Sequence, residues 1–201
     1  ALSERLREDV LAGATAYLLP SDARDRLRAL EGFRVLCAHR QGPHGVAGTN
    51  LEIEALLADT YRIRRSGPTY AGRPIIITRN DYQLQLFNGD VGTIVEQDDK
   101  LLAAFVASGG EERRYSPARL PPHETVFAMT IHKSQGSEFA HVAVLLGDRS
   151  SPLLTRELLY TAVTRARKKV TLYATEAVLR EAIERRTERG SGLRDALRGA
   201  R

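Results

Sequence analysis

The chain has a single cysteine, Cys37, so no disulfide can form within it. It has no Cys-x-x-Cys pair and no Cys/His cluster, which removes the ligand spacing a structural zinc needs. No apolar run approaches the length of a membrane span, and no signal-peptide pattern is visible. A cytoplasmic location is the expectation. Internal repeats and low-complexity tracts are absent. So is a glycine-rich loop ending in Gly-Lys-Ser or Gly-Lys-Thr, and no apolar strand ends in Asp-Glu. In P-loop ATPases those two features hold the β-phosphate and the magnesium ion. Without them the chain is not expected to hydrolyse ATP by itself.

What is present suits a globular protein. The 201 residues can bury a sizeable core as one domain or two small ones, and 42% of them are hydrophobic. The net charge of +5 is consistent with a polyanionic partner but does not by itself select one. The sequence starts at Ala1, not Met, and opens inside a helical pattern, as a piece of a longer protein would.

Helical spacing covers residues 3–19, with Leu6, Val10 and Leu11 on one side, and residues 23–30 after the cap Asp22. Phe33 to Ala38 reads as a strand running into the loop His39-Arg40-Gln41-Gly42-Pro43-His44-Gly45. Asn50 can cap a helix over 51–63. From about Gly67 the texture changes to short strands near 73–78, 91–97, 100–107 and 113–115. Turn signals at Asn88-Gly89-Asp90, Asp98-Asp99 and Ser108-Gly109-Gly110 separate them. That spacing predicts a small antiparallel barrel, closed near Ser116 to Leu120. Alternation then returns: strand 126–131, strand 141–146, helix 155–168, strand 170–174, helix 176–188. The expected fold class is therefore α/β, a parallel-sheet domain made of residues 1–66 and 123–201, with the barrel of 67–122 inserted.

Two segments carry candidate chemistry. Thr130-Ile131-His132-Lys133-Ser134-Gln135-Gly136-Ser137-Glu138-Phe139 lies between two apolar runs. Its hydroxyls, imidazole and loop N–H groups can grip phosphates, Glu138 can accept from a ribose hydroxyl, and Gly136 permits close approach. A polar loop capped by its own side chains fits the same residues. In the second segment, Leu158, Leu159, Ala162, Val163 and Ala166 form an apolar helical stripe flanked by Arg165 and Arg167. A guanidinium at such an edge can reach a phosphate, or simply be solvated. Cys37, inside a strand, reads as a small core residue.

The two segments resemble motifs V and VI of superfamily 1 helicases, and the spelling is closest to the RecD family of superfamily 1B, the alpha subunits of exodeoxyribonuclease V. The resemblance extends to Leu36-Cys37-Ala38-His39-Arg40-Gln41-Gly42-Pro43, similar to motif IV. It also covers Ile77-Thr78-Arg79-Asn80-Asp81-Tyr82 with Leu86 to Gly92, similar to the start of an SH3-like barrel, and the tail 184–193. It implies a RecA-like domain 2A, P-loop NTPase-like but without its own P-loop, with an inserted SH3-like 2B barrel. It further implies a parent that is an ATP-dependent 5′→3′ DNA helicase of double-strand-break repair and recombination. ATP with Mg2+ would lie between this half and an N-terminal motor domain. The implied partners are single-stranded DNA and RecB- and RecC-like subunits.

Carried over by position, Arg165 and Arg40 are the γ-phosphate arginines, and Gly136 and Glu138 face the nucleotide. Thr130, His132, Lys133, Ser134 and Gln135 face DNA. In the barrel, Arg79, Asn80, Tyr82 and Asn88 can hydrogen-bond or stack with nucleotides. Turn chemistry explains Asn80-Asp81 and Asn88-Gly89 equally well. The alternative function is a stand-alone single-strand-binding or subunit-docking module without motor activity.

Overall fold

The computed structural model describes residues 2–42, 44–63, 67–107 and 109–187. Two helices open the chain: α1 (Glu4–Leu18), capped by the Ser3 hydroxyl, and α2 (Ala23–Leu30), capped by the Asp22 carboxylate. Strand β1 (Phe33–Cys37) follows, then α3 (Val46–Tyr61). This helix starts five residues before the expected one. Asn50 is not its cap but a buried residue of its second turn. The Asn50 amide donates to the Ala128 carbonyl at 2.9 Å and accepts from the Ala128 N–H at 2.8 Å. The N-cap is Gly45, where a Cβ would stand 2.5 Å from the Gln41 backbone.

The chain then builds an antiparallel sheet from β2 (Pro74–Ile77), β3 (Val91–Gln97), β4 (Lys100–Val106), β5 (Glu112–Tyr115) and β6 (His123–Thr125), in the order β5-β4-β3-β2-β6. Asp98 and Asp99, both at positive φ, make the two-residue turn between β3 and β4. Ile75, Ile77, Leu86, Ile94, Ala103 and Phe105 form its core. Among the described residues this sheet is open: β5 and β6 are its unpaired edges, and residues 117–119 form a 3₁₀ turn where barrel closure was expected. The short strands and the hairpin were legible, but closure needs an edge-to-edge pairing that local patterning does not encode.

The remaining strands, β7 (Ala128–Thr130), β8 (Phe139–Gly147) and β9 (Ala166–Ala174), join β1 in an all-parallel sheet of order β7-β1-β8-β9. Helix α4 (Arg156–Val163) connects β8 to β9, and α5 (Glu176–Glu184) follows β9. Strands β1, β7 and β8 are buried on both faces, with side chains alternating along β8. Ala143 and Leu145 pack under α1, α2 and α3 with Val10, Tyr17, Ile53 and Leu57. Val142, Val144 and Leu146 pack under α4 and α5 with Leu158, Ala162, Val178 and Ala182. The result is a three-layer α/β/α body.

One expected element is different. The helix forecast over 155–168 stops at Val163, and the chain turns through Thr164 and Arg165 directly into β9. The run Arg167-Lys168-Lys169 looks helical in sequence because β9 is an edge strand whose outward side chains meet solvent.

The two sheets are joined through polar contacts. Tyr17 and Thr93 share a buried hydroxyl–hydroxyl hydrogen bond at 2.7 Å. On α3 the buried Glu54 carboxylate accepts from the Tyr70 hydroxyl at 2.8 Å and the Thr125 hydroxyl at 3.0 Å, with the Arg73 guanidinium 3.9 Å away. These residues flank the points where the chain enters and leaves the antiparallel sheet. No described helix is long and apolar enough to cross a membrane.

Candidate functional site

Residues 131–138 connect the C-terminal end of β7 to the N-terminal end of β8, so this loop runs from the edge of the parallel sheet formed by the C-terminal strand ends to the edge formed by the N-terminal strand ends. Its first half is a tight 3₁₀ turn over His132–Ser134. The Thr130 hydroxyl accepts from the Lys133 N–H at 3.1 Å. Ser134 is fully buried and donates its hydroxyl to the Ile131 carbonyl at 2.7 Å, so it locks the turn instead of facing solvent. His132, Lys133 and Gln135 are exposed. The second half holds Gly136 at φ +86°, with no atom within 4 Å of where a Cβ would sit, and the exposed Glu138.

Arg34, which sequence reasoning passed over, anchors this loop. Its guanidinium donates to the Val126 carbonyl and lies 4.9 Å from the Phe139 ring centre, so it grips the chain before and after the loop. The group is buried without a carboxylate partner among the described residues, and its Nε has no partner at all. Burial pushes its pKa down to about 10.

The far end of the loop meets Arg165. The Phe139 N–H donates to the Arg165 carbonyl at 2.8 Å, and the Arg165 guanidinium donates to the Ser137 carbonyl at 3.2 Å. Its other bonds go to the Thr161 carbonyl and the Thr164 hydroxyl. Every one of these partners is neutral, and no described carboxylate lies within 4 Å. The guanidinium charge is thus held in place, half-buried, and uncompensated. A groove of about 740 Å³ runs past Gly136, Ser137 and Glu138 toward Arg34 and Arg167.

Arg40 lies elsewhere. It follows the C-terminal end of β1, where its Nη2 is 2.6 Å from Glu124 Oε1. The other oxygen of the same carboxylate is 3.4 Å from Lys133 Nζ. Strand register shows how far apart the two arginines are. Ala166, next to Arg165, pairs with Phe139, whereas Cys37 at the end of β1 pairs with Leu145, which pairs with Tyr173. The seven residue steps from Ala166 to Tyr173 span roughly 20 Å of strand. Arg40 and Arg165 therefore lie at opposite ends of the parallel strands within this chain. The sequence gives no hint of this, because both arginines sit beside strands and only topology says at which end.

The antiparallel sheet presents a third group. The loop between β2 and β3 is tied by Asn80, whose carbonyl accepts from the Asn88 N–H at 2.8 Å and whose amide reaches the Tyr82 hydroxyl at 3.4 Å. Tyr82 stands exposed, edge-on to Phe87 with ring centres 5.9 Å apart. Arg79 and Asn88 are exposed beside them. Phe87, Glu124 and Arg34 are the members of these groups that sequence reasoning missed. Phe87 could have been found as the second aromatic of its loop.

Cys37 is buried, hydrogen-bonded to Thr49, with its thiol pushed up to about 11 by burial, which suits a core residue and not a nucleophile. Among the described residues, no cluster of His, Cys, Asp and Glu could hold a metal ion.

Comparison with known proteins gives a consistent answer. Residues 125–173 match the UvrD-like helicase C-terminal domain. The RecBCD enzyme subunit RecD of Mycolicibacterium smegmatis is 44% identical over 200 residues, covering 98% of this chain and 35% of that protein. The RecD subunit of Mycobacterium tuberculosis is 46% identical over 190 residues, covering 94% of this chain and 32% of that protein. The chain thus spans about a third of the length of these relatives. A crystal structure of Bacteroides Pif1 bound to ssDNA superposes with a TM-score of 0.49 at 18% identity, covering 98% of this chain and 54% of that one. Over nearly its whole length, then, the chain is similar in sequence to RecD subunits, and within it residues 125–173 match the UvrD-like helicase C-terminal domain.

Proposed function

We propose that this chain is the second motor half of an ATP-dependent 5′→3′ DNA helicase, with one sheet edge serving the nucleotide and the other the DNA strand. Residues 1–66 and 123–201 form domain 2A, and 67–122 form 2B, a relative of SH3-like barrels whose sheet stays open. The observation that carries the reading is the course of the 131–138 loop. It links Thr130, His132, Lys133 and Gln135 at one edge to Gly136, Glu138 and Arg165 at the other.

The residues at the nucleotide edge fit a triphosphate. Arg165 offers a guanidinium with neutral partners only, and Gly136 leaves room for close approach. Arg165 contacts the γ-phosphate and stabilises transition-state charge, a role worth about 10³ or more in rate. Glu138 accepts from a ribose hydroxyl. ATP supplies the phosphoryl group, and the Gly-Lys loop and acidic pair that hold it and Mg2+ belong to a first motor half. The bond between Arg165 and the Ser137 carbonyl ties the finger to the loop, so movement at the nucleotide edge is passed to His132 and Lys133 at the other.

On this reading Arg40 belongs to the DNA edge with Lys133, and Ser134 positions the turn. Tyr82 and Phe87 offer ring faces to bases of the same strand. RecB- and RecC-like subunits are the protein partners. Single-strand binding that weakens with salt tests the DNA edge: Arg40→Ala and Lys133→Ala should each lower the slope of log affinity against log salt by about 0.7. Unchanged slopes in both variants would remove the DNA role from this edge.

A further inference from the structure

Glu124 lies on β6, in the antiparallel sheet, yet its carboxylate reaches the end of the parallel sheet. Each of its two oxygens meets a different cation: Arg40 at 2.6 Å and Lys133 at 3.4 Å. Those cations follow β1 and β7, which are neighbouring strands. One small anion is therefore held between two basic side chains from adjacent strand ends, much as the non-bridging oxygens of a phosphodiester would be. The side chains are accessible: 68% for Arg40, 40% for Glu124 and 33% for Lys133. Displacing the carboxylate therefore requires no unpacking of the core.

We infer that Glu124 is an internal stand-in for a nucleic-acid phosphate, holding Arg40 and Lys133 until a phosphate of the single strand replaces it. The inference rests on the DNA edge proposed above and adds a competitor to it. The carboxylate holds both cations at one place in the free protein. It also makes every binding event displace two ion pairs, so affinity is set below what the two cations alone would give, and release of the strand is assisted. Because Glu124 belongs to the other sheet, its displacement also frees a link between the sheets whenever DNA is bound.

The test is the affinity of the full chain for a fluorescein-labelled oligothymidylate, measured by anisotropy over a salt series. Glu124→Gln keeps the shape and the β6 backbone but removes the charge. It should bind on the order of threefold to tenfold tighter, since two exposed ion pairs no longer compete. In an Arg40→Gln, Lys133→Gln background the same change should give no gain. Equal or weaker binding by Glu124→Gln, while Arg40→Ala and Lys133→Ala weaken binding, would overturn the stand-in and leave the DNA edge intact. Binding indifferent to Arg40 and Lys133 would overturn the DNA edge, and the stand-in with it. A melting curve of Glu124→Gln matching the parent shows that the fold is preserved in the comparison.

Discussion

Replacing Asn50 by alanine should destabilise the protein out of proportion to the size of the side chain. Strand β7 is an edge of the parallel sheet and pairs only with β1. At Ala128 both backbone polar groups point away from β1, and the Asn50 amide satisfies both, in place of the strand that is not there. Ala128 and Asn50 are both buried, so the alanine variant strands a donor and an acceptor. Each buried unsatisfied group costs about 1–3 kcal/mol, giving roughly 2–6 kcal/mol in all. A water entering the vacated space brings the loss toward the lower figure. For a chain of this size that corresponds to a fall in Tm on the order of 5–15 °C. Thermal melts followed by circular dichroism, with urea titrations beside them, read the effect. Asn50→Asp keeps the acceptor for the Ala128 N–H, loses the donor and adds a charge, so it should not rescue. A melting point within a degree or two of the parent for Asn50→Ala would refute the reasoning, because it would mean that β7 holds its register without the amide.

Two further outcomes follow from the same geometry. On α1 the Asp9 carboxylate lies 2.8 Å from the Tyr173 hydroxyl and 3.3 Å from Lys169 Nζ, with His141 at 3.8 Å. Burial raises its pKa, but the Tyr173 hydrogen bond and the charges of His141 and Lys169 outweigh that and hold it below the usual carboxylate value. A folded-state pKa below the unfolded one means that Asp9 stabilises the fold above pH 3.8 and loses that contribution as pH falls through the lower value. Asp9→Asn should therefore lower stability near neutrality and flatten the acid limb of a denaturant midpoint–pH curve; an unchanged acid limb would remove the ion cluster from the account. At the other sheet, Tyr82→Ala should weaken oligothymidylate binding by about 1–3 kcal/mol without changing the salt slope, because stacking is lost and no phosphate contact is. A change in slope with no change in affinity at low salt would contradict the stacking role.

The alternation that marks a parallel α/β body was readable because strands buried on both faces are continuous apolar runs, such as Val142 to Leu146. The helix cap at Asp22 was equally local, whereas Ser3 read as a helical residue and is the cap of α1. The failures share a cause in contacts distant along the chain. Asn50 looks like a cap because its partner, Ala128, is 78 residues away. The Arg167-Lys168-Lys169 run looks helical because only the sheet order reveals an exposed edge strand. Glu54 and Glu124 look like surface carboxylates, yet one is buried among Tyr70, Thr125 and Arg73, and the other joins two sheets. Which edge each motif residue occupies was not legible, since Arg40 and Arg165 differ only in whether they follow or precede a strand.

The central claim is that the two sheet edges serve two ligands. The direct test is to place Arg165→Ala and Arg40→Ala separately in the protein that pairs this segment with a Gly-Lys-loop first half, and to measure both DNA-stimulated ATP hydrolysis and single-strand affinity. The account predicts a cross pattern. Arg165→Ala loses about 10³ in turnover and keeps its single-strand affinity. Arg40→Ala loses single-strand affinity and regains near-normal turnover at saturating DNA. Normal turnover in Arg165→Ala, or loss of turnover in Arg40→Ala that saturating DNA does not restore, would contradict it.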